Sequence, residues 1–478
     1  MHANQCIQHN TRIFTPLVFL SSKHVMLARS ALVIAVVVGV ATASCNAQIL
    51  SVRTVATGLD TPWEVLWGPD GWLWVTERAG RISRIHPETG QQQVIATLGD
   101  VYEQGESGLL GMALHPNFAD SPYVFVAYTW RDGSQILERI VRFTYDGATL
   151  GDMRILLDRI PGATIHDGCR LLILPDHTLL VTTGDANVPS RAQDRQSAAG
   201  KVLRLNLDGT IPADNPIPGS PVWSLGHRNA QGLTVFGGIV YSSEHGPNSD
   251  DEVNIIERGR NYGWPTVMGY CDSPTERTFC DQEQVVEPIA AWTPTIAPCG
   301  LEYYASDRIP QWQHSLLLVT LKAARLVVLR LDSTRRRVVS EQHFLVGELG
   351  RLRDVCVSPD GRVFVATSNR DGRGTPRSGD DRIVELTVAT SEVPPLRQIS
   401  WQFSTDGSGL LQLFLPHAAA VGLELADLRG GHAAFWHFGT CAEGSHAFQL
   451  ETSHLARGAY CAMLTIGAER YHQLVLVH

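Results

Sequence analysis

The chain has 478 residues, of which 18% are charged, and a net charge of −9. No basic run offsets that balance, which excludes nucleic acid and an anionic membrane surface as partners. The length suffices for a sizeable core and for two or three domains.

In chain order, the first element is an export signal beginning at Met26, in "MLARSALVIAVVVGVATASCNAQ". One Arg precedes an apolar stretch from Ala31 to Val40, then small residues, with cleavage expected near Ala47. The stretch is too short for a transmembrane span, and residues 1–25 read as an upstream extension. Cys45 is a weak lipidation candidate, because Thr42 stands where lipoproteins carry Leu. A periplasmic, cell-surface or secreted chain without a membrane span is expected. Nine cysteines fit an oxidising compartment. Cys271 and Cys280 are one candidate disulfide, Cys441 and Cys461 a second; free buried thiols are the alternative for each.

Residues 48–390 repeat a turn, a β-rich run, polar residues and another apolar run. Copies are "GPDGWLWVTERAGRISRI", "HPNFADSPYVFVAYTW" with "RIVRFTY", and "LPDHTLLVTTGD" with "GKVLRLN". Further copies are "FGGIVYSSEHG" with "DEVNII", "WQHSLLLVTL" with "ARLVVLRL", and "SPDGRVFVATSN" with "DRIVEL". Pro-Asp-Gly supplies the positive φ of a tight reversal, and alternation of Val, Leu, Phe and Tyr reads as strands. Six such copies predict an all-β fold, a six-bladed β-propeller, with an array of β-sandwiches as the alternative.

"SEVPPLRQIS", residues 391–400, reads as a linker, and residues 401–478 as a small C-terminal β-sandwich. Its "LARGAYCAMLTIGAERYHQLVLV" resembles the sorting domains of type IX secretion substrates; a generic accessory sandwich is the alternative.

In a propeller, functional groups belong just before the turn of each repeat. Glu106, His166, Arg228 and Arg353 hold nearly equivalent places in four repeats, which predicts one converging site. Arg351 and Arg353 share a strand face and call for an anion between them, with Lys322 as a third cation. A solvated strand face and a snorkelling lysine are the alternatives. "SLGHRNAQGL", residues 224–233, concentrates His227, Arg228, Asn229 and Gln231 among leucines and calls for a small molecule or an internal carboxylate opposite. "SSEHGPNSDDEVNIIERGRNYGWP" brings Asp250, Asp251 and Glu252 beside a Gly-Pro whose carbonyls suit a hard cation such as Ca2+; a solvated turn is the alternative. Asp185 of "TTGD" is expected to orient His166, an imidazole suited to proton transfer near neutrality.

These stretches, with "GESGLLGMALHPNF", "GKVLRLNLDGTIPADNP", "WTPTIAP", "LKAAR" and "RLRDVCVSPDG", occur in the order found in one family. Over about residues 52–388 the chain resembles the glucose/sorbosone dehydrogenases, soluble aldose dehydrogenases that use pyrroloquinoline quinone and Ca2+. The resemblance implies oxidation of aldose sugars at C1 to the lactone, with an external electron acceptor. It makes His166 the general base. It assigns Arg228, Asn229, Lys322, Arg351 and Arg353 to the quinone's carbonyls and carboxylates, with Gln231 completing the motif and Thr295 near the cofactor rim. Gly246 and Pro247 match carbonyls that bind the cofactor's calcium. Glu252 and Tyr262 match ligands of a structural calcium, and Met268, Tyr270 and Asp272 sit where some members bind another ion. Glu106 departs from the family's usual Gln, and a carboxylate there repels the cofactor unless protonated or paired with Arg or Lys. The short region between the fourth and fifth repeats implies a wide mouth and broad sugar preference. A non-catalytic extracellular binding propeller and a calcium-dependent lactonase-type hydrolase are the competing readings.

Overall fold

The computed structural model describes residues 50–388, 400–403, 408–415, 417–427, 431–467 and 469–477. The export signal, Cys45 and nearly all of the 391–400 linker lie outside them.

The chain is nearly all β. Between residues 50 and 388 it forms six four-stranded antiparallel sheets, an arrangement consistent with a propeller. Five sheets use four consecutive strands. The sixth takes its outer strand, Leu50–Ala56, from the start of the described chain and pairs it with Ile383–Val388. The first strand of each sheet packs on the first strands of its two neighbours. Pro62–Trp67 thus touches both Leu109–Leu114 and Leu352–Val357.

The sequence accounts for these strands locally. In the first sheet Leu73–Glu77 is buried along its whole length, because neighbouring sheets cover both faces. Its hairpin is set by Pro69-Asp70-Gly71: Gly71 has φ +75°, and Asp70 Oδ1 accepts from Trp72 N at 3.2 Å and Trp74 Nε1 at 3.1 Å. Gly361 has φ +83°, and a Cβ there would lie 2.0 Å from Ser306 Oγ, so the turn of the sixth sheet needs glycine. Burial of Val, Leu and Ile between sheets contributes about 1.5–3 kcal/mol per side chain. Glu64, Arg170 and Asp354, from three different first strands, form a buried ion triad; Arg170 Nη1 pairs with Glu64 and lies 3.2 Å from Asp354 Oδ1.

The helix α1, Pro274–Glu283, was not expected from the sequence. A Ser273/Glu276 capping box starts it, and Gln284 ends it in the left-handed conformation. The expected Cys271–Cys280 disulfide ties the segment before it to Cys280 within it.

The described C-terminal residues form two antiparallel sheets, one of three strands and one of four, around their own apolar core of Leu411, Leu423, Leu464 and others. The second expected disulfide is corrected. Cys441 and Cys461 are both free. Their strands flank Ala419–Asp427 on opposite sides, with Cys441 opposite Ala419 and Cys461 opposite Ala426. Seven residues of register put them roughly 24 Å apart along the strand direction, beyond any disulfide.

Candidate active site

Glu106, His166 and Arg228 immediately precede the first strands of the second, third and fourth sheets, and Arg353 lies at the start of the sixth sheet's first strand. The repeat therefore delivers four polar groups to equivalent ends of neighbouring strands.

His166 has φ 63°, a strained position for a side-chain-bearing residue. It is accommodated by Gly184 of "TTGD", where a Cβ would lie 1.7 Å from the His166 carbonyl oxygen. That close approach sets His166 Nδ1 2.8 Å from Asp185 Oδ1. Asp185 is fully buried and held on both oxygens. Trp264 Nε1 donates to Oδ2 at 2.9 Å, and Asn187 N to Oδ1 at 2.8 Å. Among the described residues Nε2 of His166 has no hydrogen-bond partner, so the ring presents its second nitrogen as a proton acceptor.

A cavity of about 410 Å3 has five arginines among its lining residues, Arg78, Arg351, Arg353, Arg370 and Arg373, and two acids, Glu106 and Asp371. This size suits a small organic ligand, and the excess of cations suits a polyanion. Arg353 is buried; its Nη1 donates to Gln231 Oε1 at 2.7 Å, while its Nε has no partner. Gln231 Nε2 donates in turn to Asn229 Oδ1 at 3.1 Å. Arg351 precedes the strand and turns to Asp371, donating from Nε at 2.8 Å and Nη2 at 2.7 Å. The two arginines therefore do not share a strand face, and the carboxylate that Arg351 calls for is internal, from Asp371. Burial pushes the Asp371 carboxyl up, but the Arg351 guanidinium outweighs it and holds the group below the usual range.

Glu106 is half of an ion pair. Its Oε1 lies 2.8 Å from Arg373 Nη1, and Oε2 accepts from His166 N at 3.2 Å. Burial pushes its carboxyl up; His245, Arg373 and the His166 amide together outweigh burial and hold it below the usual range.

Arg228 lies in an adjoining cleft of about 10 Å3, room for a single water or ion. This cleft is also lined by Gly246, Pro247, Glu252 and Tyr262, and His245 belongs to both walls. Arg228 Nη1 donates to His245 O at 3.1 Å, its Nε has no partner, and burial lowers its pKa. Lys322 is exposed and bonds Thr295 Oγ1; the cavity lining includes its neighbour Leu321 but neither of these two residues.

The remaining members of the two motifs separate into structural and open groups. His227 faces an internal carboxylate: its Nδ1 lies 2.9 Å from Glu244 Oε2, and its ring stacks on Tyr262 at 4.6 Å. Asn229 is buried, with its Oδ1 accepting from Gly168 N at 3.2 Å and from Gln231. Of the three consecutive acids, Asp251 is closed by the amides of Gly246, Ile296 and Ala297 and is not open to a ligand. Asp250 bonds Thr293. Glu252 stands directly across the sheet from Glu244; burial first, then Glu244, pushes its carboxyl up to about 8. Around Gly246 the backbone is crowded with carbonyls: a Cβ there would lie 2.0 Å from Ser249 O and 2.6 Å from Asp250 O. Among the described residues no group of three or more His, Cys, Asp or Glu is arranged to hold a metal ion. Met268 lines the same cleft, and Tyr270 is exposed beside it.

Sequence reasoning missed His245, Trp264, Arg78, Arg370, Asp371 and Arg373. His245 and Trp264 lie inside quoted motifs, and "RDGRG" follows the last repeat's strand, so position relative to the repeat is the signal that could have found them. Burial lowers the His245 pKa to about 3, opposed by Glu106 and reinforced by Arg353 and Arg228.

Among the described residues no helix is long and apolar enough to cross a membrane. The sequence model of the Glucose / Sorbosone dehydrogenase family matches residues 59–376. Quinoprotein glucose dehydrogenase B of Acinetobacter calcoaceticus is 31% identical over 69% of this chain and 87% of its own length. Aldose sugar dehydrogenase YliI of Escherichia coli is 30% identical over 70% of this chain and 92% of its own. The PQQ-bound form of aldose sugar dehydrogenase from Streptomyces coelicolor superimposes with a TM-score of 0.62 at 37% identity, covering 71% of this chain and 98% of that one. With the family match spanning well over half of its residues, the chain belongs to the glucose/sorbosone dehydrogenase family.

Proposed function

We propose that the protein oxidises aldose sugars at C1 to the lactone, with pyrroloquinoline quinone as hydride acceptor, on a closed six-bladed β-propeller. The observation that carries this reading is the juxtaposition of the His166–Asp185 pair with a cavity rich in guanidiniums. The pairing of the first described strand with the last sheet, and the order in which first strands pack, support closure.

The residues present fit the quinone. Arg78, Arg351 and Arg373 are paired with Glu103, Asp371 and Glu106, which leaves the charges of Arg353 and Arg370 without a carboxylate among the cavity residues, and the Nε atoms of Arg353 and Arg228 are buried donors without partners. Arg353 would hold a carboxylate of the cofactor, and Arg228 its carbonyl end. The carbonyl crowding at Gly246, with Pro247, suits Ca2+, for which oxygen ligands are the rule. Glu252 and Tyr262 are proposed as ligands of a second, structural calcium. When bound, the quinone and its calcium supply a polarised two-electron acceptor for the C1 hydride.

The chain's own residues do the rest. Asp185 keeps the proton on Nδ1 of His166, so that Nε2 takes the proton of the sugar C1 hydroxyl. Arg228 stabilises negative charge developing beside it; loss of one such donor costs on the order of 10^2–10^3 in rate. The short segment between the fourth and fifth sheets leaves the mouth wide, which favours a broad range of aldoses and an external electron acceptor. Export, through the segment beginning at Met26, places the protein outside the cytoplasm, and residues 401–478 form a separate accessory sandwich.

The competing readings lose their motivating features. A lactonase needs open carboxylates between the first strands, but Glu64 and Asp354 are closed on Arg170. The binding-module reading rested on Glu106, whose charge is matched by Arg373. The test is reconstitution of the protein with pyrroloquinoline quinone and Ca2+, followed by dye reduction with a panel of aldoses. Turnover that disappears in His166→Ala while the cofactor's absorbance stays with the protein is expected. Absence of both cofactor retention and turnover would leave the binding module as the better account.

A further inference from the structure

We infer that Arg373 is a specificity-determining residue of the cavity: it is the counter-charge that allows a polycarboxylate ligand to bind beside Glu106. The inference deepens the proposed function and rests on it for the identity of the ligand.

Glu106 is an awkward residue for a site that takes an anion. It lines the cavity and is mostly buried, and its second oxygen receives the amide of His166, so it cannot swing away without releasing the backbone of the proposed base. Its charge must therefore be answered where it stands. The answer comes from a residue 267 positions later in the chain.

Arg373 is delivered by a short built loop, "RDGRG", residues 370–374. Gly372 has φ +85°, and a Cβ on Gly374 would lie 2.5 Å from Asn369 O, so the flanking glycines permit a turn that side chains would block. Asp371 Oδ1 accepts the amides of Arg373 at 2.9 Å and Gly374 at 3.2 Å. Its Oδ2 is anchored to Arg351. The loop is thus pinned to the cavity wall, and from it the Arg373 guanidinium reaches Glu106 on the segment before the second sheet. The Arg373 side chain is 60% exposed, against 18% for Glu106, so the arginine covers its partner from the solvent side.

The physical consequence is conditional. With Arg373 present, the pair is close to neutral and an incoming carboxylate meets the excess charge of the other guanidiniums. With Arg373 removed, Glu106 faces that carboxylate without its ion-pair partner, in a partly desolvated site where like charges repel strongly. With both charges removed, the repulsion is gone and binding returns. Arg373 consequently matters because of Glu106, and a Gln at position 106 would make it dispensable.

The test is a double-mutant cycle on the full chain: the native protein, Glu106→Gln, Arg373→Gln and the double variant. Equilibrium binding of pyrroloquinoline quinone with Ca2+ is followed by tryptophan fluorescence at low and physiological salt, with no turnover required. In Arg373→Gln binding is expected to weaken by about three- to tenfold, as for a charge at the rim of a site. The double variant is expected to bind within roughly threefold of the native protein, and Glu106→Gln as well or better. Thermal unfolding of all four checks that each is folded. An Arg373→Gln loss of equal size in both backgrounds would make Arg373 a direct ligand contact and overturn the inference; no loss in either would do the same. Trimesate, a planar tricarboxylate without a quinone, is titrated in parallel. Coupling with trimesate but no binding of the quinone would sink the proposed function and leave the counter-charge standing. Native protein that binds neither anion would sink both.

Discussion

Asp185 Oδ1 lies 2.8 Å from His166 Nδ1, and Trp264 Nε1 holds the other carboxylate oxygen at 2.9 Å. The carboxylate is therefore fixed independently of the imidazole and dictates its tautomer. On the proposed function Asp185 is a positioning residue, acting through His166. Asp185→Asn preserves shape but offers an amide that can present N–H to Nδ1, which transfers the proton to the wrong nitrogen. A fall in kcat of about 10^2–10^4 is expected, with the dissociation constant of pyrroloquinoline quinone unchanged. Trp264→Phe, which loosens Asp185 without removing it, should give a smaller fall. A parallel loss of cofactor binding and kcat in Asp185→Asn would point to a merely structural role.

Arg353 is buried with Gln231 and the weak acceptor Cys299 Sγ as its hydrogen-bond partners, beside a wall of other arginines. In the empty protein that charge is uncompensated, and replacing a buried, poorly paired ion by an apolar side chain is often neutral or stabilising. On the proposed function the same charge is an attachment point for the cofactor. Arg353→Met should therefore raise the unfolding temperature of the cofactor-free protein, by the equivalent of about 1 kcal/mol. It should also weaken cofactor binding by about 10–100-fold, a typical loss for a charge-assisted contact. Calorimetry without cofactor and titration with it read the two effects separately. A change of the same sign in both would contradict the assignment.

Asp167 follows the proposed base and is buried next to Glu138, each with one oxygen lacking a hydrogen-bond partner. Burial pushes the Asp167 carboxyl up to about 7, opposed by the amide of Ala163 and reinforced by Glu106; burial and Asp167 together push Glu138 well up. Between about pH 4 and pH 7 the folded chain holds a proton that the unfolded chain has released. More protons bound in the folded state means that stability falls as pH rises through this window. The loss from Asp167 is on the order of 4 kcal/mol at most. Asp167→Asn removes the titration and should flatten the profile, as measured by denaturant unfolding at pH 4 to 7.5. Parallel profiles for the two proteins would show that the pair does not share a proton.

The residues that made the repeat legible are those whose packing is two-sided. Runs such as "LWVTE" and "VFVAT" are buried along their whole length, and the turns before them carry Pro-Asp-Gly, so composition and position coincide. The outer strands were not legible, because Gln92–Thr97 and Val338–Phe344 are largely exposed and carry no apolar alternation. Helix α1 was hidden for a related reason: its one buried residue is Glu276, so it has no apolar stripe, and only the Ser273/Glu276 cap betrays it. Equivalent placement in the repeat brought out His166, Arg228 and Arg353. The Glu106–Arg373 pair lay beyond such reasoning, since it depends on the sixth sheet reaching the segment before the second. The misassigned Cys441–Cys461 pair failed in the same way: both strands flank one neighbour, but at opposite ends.

Lys201 connects the site to the third sheet. It is fully buried on the strand Lys201–Asn206, and its Nζ donates to the carbonyls of Arg191 at 2.7 Å, Ala192 at 3.0 Å and Ala199 at 2.8 Å. These carbonyls belong to the segment between Asp185 and the strand, whose Gln193 also donates to Trp264 O at 2.6 Å. One ammonium thus closes the loop that seats both the orienting carboxylate and its tryptophan. Lys201→Met keeps the stem's volume but removes the donor from three carbonyls; Arg191 O and Ala192 O keep the amides of Asp194 and Gly226, and Ala199 O is stranded, at about 1–3 kcal/mol if no water replaces the donor. A net destabilisation of about 1–3 kcal/mol is expected, concentrated in residues 186–200. Hydrogen exchange should show that segment losing protection before the strands around it, and kcat should fall more than cofactor affinity because Asp185 loses its frame. Uniform loss of protection across the six sheets would instead make Lys201 part of the general core.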